Sequence, residues 1–168
     1  SVIAEVNPKA IETRYKQGWV DEVHTGLSEL VVRVRKACSD GEVVSLAFHG
    51  NIVDLWERFA DEGVWADLGS DQTSLHNPWA GGYYPAGISF DEANRIMAED
   101  PEKFRALVQG SLRRQVEAIN RHTAHGTYFF DYGNAFLLEA SRAGADIGTG
   151  RGGFRFPSFL VGNLGRMV

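Results

Sequence analysis

The chain has 168 residues and a net charge of -5, which argues against a phosphate backbone as its main partner. Hydrophobic residues make up 43% and charged residues 23%, the composition of one soluble globular domain with a sizeable core. A single cysteine, Cys38, excludes an internal disulfide and fits a reducing compartment. No apolar run is long enough to span a bilayer, so neither a nucleic-acid nor a membrane partner is expected.

In chain order, residues 1–6 (SVIAEV) read as a buried strand ending at an acid. With no targeting segment and no lead-in before this strand, the chain is expected to be a piece of something longer. Asn7 suits an N-cap and Pro8 the first helical position, with Gly18 as the stop. Residues 19–24 are a weaker strand candidate. Ser28 opens a helix whose apolar spacing is Leu27, Leu30, Val31, Val34, Ala37 and Cys38, ending at Asp40-Gly41. Its place near that end makes Cys38 a packed or idle thiol rather than a nucleophile. Residues 42–48 (EVVSLAF) read as a central parallel strand, apolar on both faces. His49-Gly50-Asn51 is its turn, and Asn51 can cap a helix carrying Ile52, Leu55, Trp56, Phe59 and Ala60 to Gly63. Residues 64–68 form the next strand.

A long stretch without helical or strand period follows, residues 69–87 (GSDQTSLHNPWAGGYYPAG). Such a loop in a compact domain is usually a binding loop or lid, and its aromatics Trp79, Tyr83 and Tyr84 argue against a plain linker. Ser89 with Glu92 reads as a capping box. Pro101 restarts a longer helix with a stripe of Phe104, Leu107, Val108, Leu112, Val116 and Ile119, ended by Gly126. Residues 127–130 form a strand, Asn134 caps a helix through Ser141, and residues 154–160 look extended, with Pro157 marking an edge or exit.

Strands alternating with helices predict an α/β fold, a three-layer Rossmann-like parallel sheet with helices on both faces. Its first strand and glycine-rich turn are expected upstream of Ser1. Such sheets bind ligands at the carboxyl ends of their strands. Four polar clusters fall there: Glu5, His49 to Asn51, Gly69 to Gln72, and Asp131 to Asn134. Glu5 could accept the hydroxyls of an adenosine ribose, which suits NAD but also S-adenosylmethionine, or it could be a surface glutamate. Asp71 could be a base or could pin the loop to its own amides. The glycines at 148–153 match a dinucleotide fingerprint in spacing only, since they follow a helix and open no other. His49 and His76 could hydrogen-bond a ligand. His122 and His125 suit a helix C-terminus. No cysteine or carboxylate pattern accompanies any of them, so no metal is expected.

Residues 69–78 (GSDQTSLHNP) and 81–85 (GGYYP) resemble the DQTS-x-H-(D/N)-P and GGYYP segment of the urocanase family. Ile3-Ala4-Glu5, residues 46–51 (LAFHGN) and residues 130–134 (FDYGN) match in the family's order. The Phe/Pro run at 154–159 resembles the segment that closes the same domain. The likeness covers nearly the whole chain, departing at Ala10, where some bacterial members carry arginine, and after Phe159. It implies one NAD-binding domain over residues 1–168, part of a longer enzyme that hydrates urocanate to 4-imidazolone-5-propanoate in histidine breakdown, with NAD⁺ as an electrophile. It also implies NAD⁺ contacts from Glu5, Asn51, Ile52, Gln72, Thr73, Ser74, Leu75, His76, Tyr83, Tyr84 and Tyr132. Partners implied are urocanate, the remaining domains and a second copy in a homodimer, in the cytoplasm. The family's catalytic cysteine segment does not match here, so no catalytic residue is assigned and no turnover is expected of this chain alone. The alternatives are a stand-alone module for NAD or another adenosine ligand, and an interaction domain that docks a protein through its aromatic loop.

Overall fold

A computed structural model describes residues 1–133 and 135–159. The chain divides into two compact units, Ser1–Val64 and Trp65–Val168.

The first unit runs β1 (Val2–Glu5), α1 (Pro8–Lys16), β2 (Glu22–His24), α2 (Leu27–Asp40), β3 (Leu46–His49) and α3 (Ile52–Asp61). The strands are parallel in the order β1-β3-β2, with Glu5 opposite His49 and Val23 opposite Ala47. The central place of β3 explains its apolarity on both faces. Leu46 and Phe48 join Leu30, Val31 and Val34 of α2 and Leu55 and Phe59 of α3 in one cluster. Ala47, pointing the other way, meets Ile11 of α1 and Val20. Helices therefore cover both sheet faces, the layering expected from the strand–helix alternation. Asn7 caps α1, its Oδ1 accepting from Lys9 N at 3.0 Å, and Gly41 ends α2 with a left-handed φ of 64°.

Several local expectations change in this unit. β1, expected to be buried, is half-buried along its length, and β2 begins at Glu22 rather than at residue 19. α2 starts from Gly26 rather than Ser28, whose Oγ accepts instead from Arg58 Nη2 at 2.9 Å. Cys38 is exposed, outside the apolar stripe. The strand predicted over 42–48 begins only at Leu46. Upstream of it, Glu42 pairs with Arg33, Val43 is wholly exposed, and Ser45 N donates to the Asp21 carboxylate at 2.7 Å.

The second unit contains β4 (Leu68–Asp71), a 3-10 turn (Pro78–Ala80), α4 (Phe90–Glu99), α5 (Pro101–Ala124), β5 (Tyr128–Asp131) and α6 (Ala135–Arg142). β4 and β5 pair in parallel, with Asp71 opposite Asp131. The strand expected over 64–68 is thus shifted toward the loop. Trp65 stacks flat on His125 at 3.8 Å and meets the edge of His122, while Thr127 Oγ1 donates to Ala66 O at 2.6 Å. These contacts tie residues 65–66 to the end of α5, and pairing starts where Tyr128 N reaches Asp67 O. The Ser89 and Asp100 side chains cap α4 and α5. Phe104, Val108, Leu112, Val116 and Ile119 are buried along α5, with Leu107 only half-buried. Residues 154–159 form isolated bridges, Phe154 to Gly148 and Ser158 to Asp131, rather than a strand. The cap expected of Asn134 and the run beyond Phe159 lie outside the described residues.

Candidate functional site

Each unit gathers polar groups at the carboxyl edge of its strands. In the first, Glu5 ends β1 beside His49 at the end of β3. Glu5 is half-buried, and its Oε1 accepts from Asn7 N at 2.9 Å. A carboxylate has further acceptor capacity, so this bond holds the group in place without exhausting it. Gly50 N donates to Glu5 O at 3.0 Å and closes the turn. A Cβ on Gly50 would lie 2.4 Å from the buried Phe48 ring, so a larger residue there would disturb the core under the turn. Asn51 is buried, and its Oδ1 caps α3 by accepting from Val53 N at 2.9 Å. Ile52 packs against the core cluster.

In the second unit the long loop leaves β4 at Asp71, which is 3% exposed. Asp71 Oδ1 accepts from Thr73 N at 3.0 Å and from the Thr73 hydroxyl, so the carboxylate pins the loop to its own amide. Its Oδ2 accepts from Gln115 Nε2 at 2.9 Å. Burial pushes the Asp71 carboxyl above its ordinary value, against the downward pull of the Thr73 and Gln115 bonds, and Asp131 raises it further. Asp131 does for the next turn what Asp71 does for the loop, accepting from Gly133 N at 3.1 Å and Leu137 N at 3.2 Å. Tyr132 N donates to Asp71 O, which joins the two strand ends.

The loop aromatics anchor it rather than face outward. Tyr83 is 2% exposed, and its hydroxyl donates to Gln115 Oε1 at 2.8 Å. Tyr84 donates to Asn94 Oδ1 at 2.9 Å and packs on Phe90, both on α4. Trp79 lies under the Arg105 guanidinium at 4.6 Å. Leu75 is fully buried. The polar residues between these anchors remain accessible: Gln72, Ser74 and His76 are exposed and Thr73 is half-buried. A Cβ added to Gly133 would lie 3.8 Å from His76 Nε2, so the imidazole stands over the turn after β5. Tyr132 is exposed on that turn, stacked against Phe159.

Of the residues marked from the sequence, Glu5, Asn51 and Ile52 therefore gather at one strand-end rim. Gln72 to His76 and Tyr132 gather at another, with Tyr83 and Tyr84 beneath and beside the loop. Ser111 and Gln115 of α5 were missed. Their signal was positional: both fall on the arc of Val108, Leu112 and Ile119, and polar side chains on a core-facing arc need a partner. No group of three or more His, Cys, Asp or Glu among the described residues is placed to hold a metal ion.

The family profile described as the urocanase Rossmann-like domain matches residues 1–162. The chain is 53% identical to human urocanate hydratase over 172 residues, covering 98% of this chain and 25% of that protein. It is 50% identical over 169 residues to the probable urocanate hydratase of Dictyostelium discoideum, again 98% of this chain and 25% of the relative. The likeness extends to the probable urocanate hydratase of Halobacterium salinarum at 31% over 163 residues, 95% of this chain and 28% of the relative. The chain spans about a quarter of the length of these relatives.

Proposed function

The chain belongs to the urocanase family, as its Rossmann-like domain, and from that premise we propose that residues 1–168 are the NAD-binding domain of a longer enzyme that hydrates urocanate. Bound there, NAD⁺ would supply an electrophilic nicotinamide ring. The residues of this chain would hold and orient it. Glu5 would accept hydrogen bonds from the adenosine ribose hydroxyls. Gln72, Thr73, Ser74 and His76 would offer amide, hydroxyl and imidazole groups to the rest of the dinucleotide. Tyr132 would present its ring from the turn after β5, and Tyr84 would steady the loop from α4. Leu75 and Tyr83, with buried side chains, would contribute main-chain atoms, as would Asn51 and Ile52 at the start of α3.

The observation that carries this reading is the set of accessible polar side chains, Gln72, Thr73, Ser74 and His76, held at a parallel-strand end by buried anchors on both sides. The donors and acceptors present fit a dinucleotide: a carboxylate for ribose hydroxyls, and neutral donors rather than a cluster of carboxylates for the phosphates. The reading extends to urocanate as the substrate of the whole enzyme, to its remaining domains as partners, and to a cytoplasmic homodimer. It is tested in the purified polypeptide carrying this domain by Gln72→Ala and His76→Ala. Each loss of a hydrogen bond to a charged or strongly polar ligand group is expected to weaken NAD⁺ retention by roughly tenfold or more. Retention unchanged in both variants would overturn the assignment.

A further inference from the structure

Resting on the nucleotide reading, we propose that Gln115 of α5, with Ser111 one turn before it, is a positioning residue that clamps both ends of the 72–86 loop and so sets its ligand-binding shape. Gln115 is fully buried. Its amide forks between two groups distant in sequence. Oε1 accepts from the Tyr83 hydroxyl at 2.8 Å, and Nε2 donates to Asp71 Oδ2 at 2.9 Å. Tyr83 lies near the far end of the loop and Asp71 immediately before it. Ser111 Oγ adds a second tie at the far end, accepting from Ala86 N at 2.9 Å while donating to Leu107 O. Two successive turns of one long helix therefore hold the loop's departure and its return.

The chemistry selects an amide at position 115. The phenol needs an acceptor and the carboxylate needs a donor, and a glutamine side chain supplies one of each. A glutamate would set a second carboxylate against buried Asp71, and an apolar residue would leave the phenol and the carboxylate without their shared partner. Within the clamp the loop folds on itself so closely that a Cβ on Gly82 would lie 2.1 Å from Ser74 O. A loop fixed this way meets its ligand already ordered, and the ordering cost is not drawn from the binding energy.

The test uses Gln115→Met, close in volume and without the amide, and Tyr83→Phe, which removes only the hydroxyl. Gln72→Ala serves as the control for direct contact. NAD⁺ affinity and amide hydrogen exchange over 72–86 are measured in the purified polypeptide carrying this domain. The clamp predicts roughly tenfold weaker NAD⁺ binding in Gln115→Met, a smaller loss in Tyr83→Phe, and faster exchange confined to the loop in both. Weakened binding in Gln72→Ala with affinity and exchange untouched in the other two would overturn the clamp and leave the nucleotide reading standing. Faster loop exchange with NAD⁺ affinity unchanged in all three variants would keep the tether but overturn its role in binding, and the nucleotide reading with it. Should Gln115→Met fail to fold, Tyr83→Phe alone decides, by the same two readouts.

Discussion

Asp71 is a carboxylate taken almost wholly out of water, and the pH dependence of the fold should register it. Its carboxyl is raised by burial more than the Thr73 and Gln115 bonds lower it. A folded-state value above the unfolded one means that the folded chain holds the proton more tightly. The stability this confers is complete below the ordinary value of 3.8 and is lost as pH rises through the raised value. Asp71→Asn cannot titrate, so wild-type stability relative to this variant should fall across that window, measured by urea unfolding at successive pH values. A difference that is flat with pH, or that grows as pH rises, would contradict the account. Gly82 gives a steric prediction at the same scale. Gly82→Ala places a Cβ against Ser74 O and Asn77 O, both main-chain atoms that have nowhere to swing. A loss of about 1–3 kcal/mol is expected, the usual result of overpacking. Of these two residues, Asp71 was half legible in the sequence, since an aspartate two before a threonine suggests an Asx turn. Its bond to Gln115 was not, because it joins positions 44 apart.

Whole elements were legible where their stop signals are local. Asn7-Pro8, Asp40-Gly41, Ser89 and Asp100-Pro101 mark helix ends that the chain adopts. Strand limits were less so, because ladder pairing and tertiary anchoring decide them. Residues 42–44 have strand composition, yet Glu42 is held by Arg33 and Val43 faces solvent. Residues 64–67 have it too, yet Trp65 is engaged by two histidines at the end of α5. Arg33 on α2 reaches Glu22 of β2 with its Nε and Nη2 atoms and Glu42 with Nη1 and Nη2. Hydrogen bonds from Arg33 hold both carboxyls below the ordinary range. The corresponding stability is present above that range and is lost as pH falls through the lowered values. Arg33→Leu should therefore lower the melting temperature at neutral pH and flatten its acid-side decline, with less effect at high salt. A melting temperature equally sensitive to acid in both proteins would show that the network contributes nothing to the first unit.

At the scale of the molecule, alternation of strand and helix was enough to identify a parallel α/β class, and it accounts for the two-sided helix packing around β3. Among the described residues, the hydrogen bonding resolves that class into a three-stranded and a two-stranded sheet. The candidate site was legible as a set of strand ends because turns after parallel strands carry polar residues at readable positions. The division of labour within it was not. Trp79, Tyr83 and Tyr84 read from the sequence as a sign that the loop is no plain linker, and the packing shows each of them anchoring it. The central proposal is that Glu5 and Gln72 are both NAD⁺ contacts. Calorimetric titration of NAD⁺ into the purified polypeptide carrying this domain, wild type against Glu5→Gln and Gln72→Ala, tests it most directly. Glu5→Gln keeps an oxygen for Asn7 N but removes the charge and replaces the second acceptor oxygen with a donating amide group. The account predicts one NAD⁺ per chain and affinity lowered roughly tenfold or more in each variant. A single site that weakens in one variant and is unaffected in the other would contradict it.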